Sequence, residues 1–151
     1  MKKLSIILAA TLFVFNVKAE LVGKLENFKV DLVDNKEIYS DANDAKNGDI
    51  IEYVITYQNK FNYEITNVSI DGLIPEETDF VSFQKSKFEP YFRVGENKVW
   101  SKEPIVRKIV NGKIKESKAK YSDYTGLKWD VLKMQPNEEV VFKYRVKVKE
   151  N

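Results

Sequence analysis

"VVFKYRVKVKE", residues 140–150, alternates almost from end to end. Val140, Phe142, Tyr144, Val146 and Val148 fall on one side of a period of two; Lys143, Arg145, Lys147 and Lys149 fall on the other. Successive side chains of a strand point to opposite faces, so this stretch predicts a half-buried strand with an apolar inner face and a basic outer one. The outer charges read as a solvated face, which also discourages edge-to-edge pairing. A binding stripe for an acidic partner is the competing account.

The same period recurs upstream. In "IIEYVITYQN" (50–59), Ile51, Tyr53, Ile55 and Tyr57 share a face, opposite Glu52, Val54, Thr56 and Gln58. Val68 and Ile70 pair in "TNVSI", and Leu127, Trp129 and Val131 pair in "GLKWDV". Turn residues separate these runs at "DANDAKNGD" (41–49), "NKFN" (59–62), "VGENK" (94–98), "NG" (111–112) and "QPNEE" (135–139). Short alternating runs between turns, with no helical stripe, predict an all-β antiparallel sandwich. Trp129 is expected in its core. Trp100 is open between a core position and an exposed ring that stacks on sugars.

The N-terminus reads differently. Lys2 and Lys3 precede an apolar run from Leu4 to Phe15, and "VKA" (17–19) offers a cleavage site. This is the pattern of a secretory signal peptide, cut between Ala19 and Glu20. The run is too short to span a bilayer, which takes about 20 residues. Residues 20–151 then form a single domain, exported to the periplasm, the cell surface or the medium. Removing the three lysines of residues 1–19 takes the formal charge from +2 to −1. A near-neutral chain gives no electrostatic footprint for nucleic acid.

The chain has no Cys and no His. Disulfides, a thioether lipid anchor, His-based nucleophile activation and the usual zinc or copper ligand sets are excluded with them. No cofactor is implied. "DANDAKNGD" concentrates Asp41, Asn43, Asp44, Asn47 and Asp49, oxygen ligands of the type calcium takes. It lacks the spacing of the twelve-residue calcium loop, and an Asx-rich turn explains it as well. Glu76, Glu77 and Asp79 in "PEETD" group carboxylates in one loop rather than across a cleft, so no catalytic residue is assigned.

Taken in order, "GDIIEYVITYQN" (48–59), "NVSIDGLIP" (67–75), "FVS" (80–82) and "WDVLKMQPNEEVVFKYRVKV" (129–148) resemble a known family. It is the conserved-repeat "domain of unknown function 11" family of bacterial surface and secreted proteins. The resemblance covers about residues 28–148. It implies an immunoglobulin-like β-sandwich; the family has no known activity and no known catalytic residues to carry over. Gly72 stands where the family usually has Asp, and Asn137 where it usually has Gly.

The expected function is non-enzymatic: a structural or protein-binding module of the cell envelope. A calcium- or carbohydrate-dependent adhesion module is the alternative, and a carboxylate-based hydrolase the least favoured. Charge is uneven. Residues 85–126 hold eleven Lys and Arg against five Asp and Glu. Asn111-Gly112 signals a two-residue type I′ hairpin turn. That turn pairs Val110 with Lys113, Ile109 with Ile114, Lys108 with Lys115 and Arg107 with Glu116. Ile105, Ile109 and Ile114 then share a face that can lie against the sandwich. Lys108, Lys113 and Lys115 gather on the other face, as a candidate patch for an envelope protein or an acidic polymer.

Overall fold

The computed structural model describes residues 21–96 and 98–150. The expected signal peptide at 1–19 lies outside them. Within them the alternation at the C-terminus forms a strand whose five inward positions, Val140, Phe142, Tyr144, Val146 and Val148, are all buried, while Val141 on the outer face is exposed.

The described residues form ten strands: β1 Leu21–Val33, β2 Lys36–Asp41, β3 Ile50–Asn59, β4 Ile65–Leu73, β5 Thr78–Phe83, β6 Tyr91–Val94, β7 Ile105–Val110, β8 Lys113–Lys118, β9 Tyr124–Met134 and β10 Glu139–Val148. A five-stranded sheet has the order β2-β1-β3-β10-β5, and a three-stranded sheet the order β4-β9-β6. β7 and β8 form a separate two-stranded ribbon. Every pairing is antiparallel. The fold is therefore all-β and antiparallel, as the alternation predicts.

The two larger sheets meet through aromatic side chains. Trp129 on β9 has no exposed surface and stacks on Phe142 of β10, ring centroids 4.7 Å apart. Tyr53 of β3 stacks on Tyr144 at 5.0 Å, and the Tyr144 hydroxyl donates to the Leu73 carbonyl of β4 at 2.7 Å. Each such ring pair adds about 0.5–1.5 kcal/mol beyond area burial. Gly72 makes room for this layer. A Cβ there would lie 2.6 Å from Leu127 Cδ1 and 3.0 Å from Tyr144 Cε1. An Asp at this position would drive a carboxylate into the core, so the close packing of β4 on β9 and β10 requires the glycine.

Two turn residues fix where strands end. Asn137 takes a left-handed φ of 62°, the conformation that Asn tolerates and a Gly would supply. Asn59, at the end of β3, is fully buried and fully bonded. Its amide nitrogen donates to the carbonyls of Tyr63, Met134 and Gln135, and its side-chain oxygen accepts from the Phe61 N–H. One side chain thus ties the β3 exit to the β9–β10 turn, 75 residues on.

Among the described residues no helix is long and apolar enough to cross a membrane.

Candidate functional site

The β7–β8 ribbon folds with the register the Asn-Gly turn dictates. Val110 opposes Lys113, Ile109 opposes Ile114, Lys108 opposes Lys115 and Arg107 opposes Glu116. Asn111 and Gly112 have φ of 52° and 73°, as a type I′ turn requires. Arg107 Nε donates to Glu116 at 2.7 Å. The Ala119 N–H bonds to the Pro104 carbonyl at 2.9 Å and closes the base, where both residues are buried.

The orientation of the ribbon corrects the sequence expectation. The isoleucine face does not lie on the sandwich: Ile109 is 78% and Ile114 72% exposed, and Ile105 is exposed as well. The residue that packs on the core is Val106, on the lysine-bearing face. With its base anchored at Pro104 and Ala119, the ribbon stands off the body, and every residue beyond Val106 is exposed. Lys108, Lys113 and Lys115 are exposed and have no ion-pair partner among the described residues.

The basic face of β10 is not uniform either. Lys147 pairs with Glu150, and Lys149 Nζ donates to the Glu76 carbonyl; both side chains are exposed. Arg145 is different. It lies opposite Glu52 of β3, which is only 5% exposed although it points to the outer face. Phe28 of β1 flanks Glu52 on its other side, with Tyr39 of β2 edge-on to the Phe28 ring at 6.3 Å. Arg145 Nε and Nη2 both reach Glu52 Oε2 at 2.8 Å. Its Nη1 and Nη2 grip Glu37 of β2 at 2.7 and 2.8 Å. The Arg145 hydrogen bonds, assisted by the Tyr39 hydroxyl, pull the Glu37 carboxyl down to about 2. Arg145 is thus a clamp that draws the edge strand β2 over a buried carboxylate. Reading the stripe as a solvated face holds for Lys147 and Lys149 and fails for Arg145.

This clamp lines a cavity of about 330 Å³ with Lys143, Ser82 and Gln84. Arg145 engages both Glu37 oxygens and Glu52 Oε2, and Lys143 Nζ lies 3.9 Å from Glu52 Oε1. A second cleft, about 540 Å³, opens among Ile74, Glu76, Arg93, Glu96, Tyr124 and Lys149. Glu76 therefore lines a cleft, which its place in the "PEETD" loop did not indicate. Asp79 of that loop instead sits 3.9 Å from Lys149.

Two carboxylates of the Asp/Asn-rich turn bond within it. Asp41 Oδ1 accepts from the Asn43 N–H, and Asp49 Oδ2 from the Lys46 N–H while lying 3.3 Å from Lys29 Nζ. The Asp41 bond is that of an Asx turn, and Asp49 reaches back to close the turn before β3. Among the described residues no group of three or more His, Cys, Asp or Glu is placed to hold a metal ion. Trp100 lies half-buried across Gly126, where a Cβ would meet its ring at 3.4 Å. The Arg93 guanidinium and the Lys128 ammonium sit 5.2 and 5.7 Å from its centroid. The ring is held by cations rather than presented free for stacking.

Comparison with protein-family models, characterised proteins and solved structures finds no match for this chain.

Proposed function

We propose that this chain is a non-enzymatic, exported module with an immunoglobulin-like sandwich, acting by protein binding at the bacterial cell envelope. The β7–β8 ribbon is its grip. One observation carries this reading: a ribbon anchored at its base exposes three isoleucines and three unpaired lysines beyond the body. A two-stranded hairpin is marginal on its own, and solvent-facing isoleucines on it cost solubility unless a partner covers them. The signal-peptide pattern at 1–19 supports export, and the resemblance of the ordered motifs to the "domain of unknown function 11" family supports an envelope setting.

The test removes the ribbon. Pro104 and Ala119 already meet through a backbone hydrogen bond, so a short Gly-Ser turn can replace residues 105–118. The shortened protein is expected to keep its melting transition and to lose capture by envelope fractions. Equal capture with and without the ribbon would remove the basis of the proposal.

A further inference from the structure

The basic ribbon has a counterpart on the same chain. β2 is one of the two edge strands of the five-stranded sheet, and among the described residues its outer N–H and C=O groups have no strand partner. All six of its residues are exposed. Residues 31–44, which include β2 and its flanking turns, hold five carboxylates and one lysine. Residues 105–118, the ribbon, hold five cations and one carboxylate. Both segments are fourteen residues long. Each strand of the ribbon and β2 itself are six residues long.

The match extends to the unpaired groups. Arg107 and Lys118 are engaged by Glu116 and Glu103, leaving Lys108, Lys113 and Lys115. Asp31 and Glu37 are engaged by Lys29 and Arg145. Asp34, Asp41 and Asp44 are left exposed, with no cation partner among the described residues. Both segments also show apolar side chains to solvent: Ile105, Ile109 and Ile114 on one, Leu32, Val33 and Ile38 on the other.

We infer that the partner of the ribbon is a second copy of this chain, bound by strand addition of the β7–β8 ribbon to the β2 edge. This rests on the ribbon being the binding element and names what it binds. Strand addition satisfies the open backbone groups of both edges. The opposite charges bring copies together and reject like-to-like pairing of two ribbons or two β2 edges. The two surfaces differ, so the contact is head-to-tail. Each added copy leaves one ribbon and one β2 edge free, and the assembly grows as an open chain or closes as a ring.

Sedimentation across a wide concentration range tests this. The parent is expected to pass beyond dimers as concentration rises, and to weaken at least about tenfold from low to moderate salt. Lys108→Glu with Lys113→Glu and Lys115→Glu gives two acidic surfaces, and this variant should sediment as a monomer. Asp34→Lys with Asp41→Lys and Asp44→Lys gives two basic surfaces and should do the same. Mixed together, the two variants are complementary again and should co-assemble. Asp34→Asn with Asp41→Asn and Asp44→Asn preserves the turn and the Asp41 cap. It guards against a folding artefact and is expected to lose most of the association. A parent that stays monomeric throughout overturns the inference, as does assembly indifferent to all three charge sets. If the parent is monomeric yet envelope capture still requires the ribbon, self-association fails while the binding role of the ribbon stands.

Discussion

Replacing Arg145 by Gln should cost far more than replacing either neighbouring lysine of the same stripe. Breaking a fully buried ion pair by removing one partner costs about 3–5 kcal/mol, because the other charge stays buried and uncompensated. Glu52 meets that condition at 5% exposure. Arg145 does so only in part: its side chain is 26% exposed, and Lys143 Nζ remains 3.9 Å from Glu52 Oε1. The expected loss is therefore about 2–4 kcal/mol. Lys147→Gln, which removes only an exposed pair with Glu150, should cost less than about 1 kcal/mol. Urea denaturation reads both through the shift in midpoint at unchanged slope. The double variant Arg145→Gln with Glu52→Gln should recover at least about 1 kcal/mol relative to Arg145→Gln alone, since the orphaned charge goes with it. An Arg145→Gln midpoint indistinguishable from that of Lys147→Gln would refute the clamp and restore the solvated-face reading of the whole stripe.

Trp129→Ala removes the largest fully buried side chain and should cost about 3–5 kcal/mol in the same assay. Gly72→Ala sets a methyl against Leu127 and Tyr144 and should cost about 1–3 kcal/mol, where a surface Gly→Ala change would be near neutral or mildly stabilising. Glu37 titrates at about 2, below the ordinary 4.5, so its ionised form is the one the fold stabilises. Its contribution is complete above the ordinary value and fades as the pH falls to about 2. Amide exchange of β2 should accordingly speed up, relative to β3, between about pH 5 and about pH 2; equal protection at both would contradict the assignment.

Period-two patterning was enough to foretell β3, β9, β10 and the buried place of Trp129, because alternation is local and both faces of those strands are unambiguous. It failed at β1 and β2. The inward positions of β1 include Gly23, Asn27, Lys29 and Asp31, and no residue of either strand is buried. The five-stranded sheet overhangs its three-stranded neighbour there, so no apolar face was required and no pattern was written. The Asn111-Gly112 turn likewise set the ribbon's register, since a two-residue turn fixes which residues oppose each other. Which face of the ribbon meets the body was a tertiary matter, settled by Val106 packing on the core while Ile109 and Ile114 face water. The same holds for Arg145 and Glu52, 93 residues apart. Their charges were visible from the outset. That one would be buried and need the other followed only from the β3–β10 register and from β2 closing over both, which no local period records.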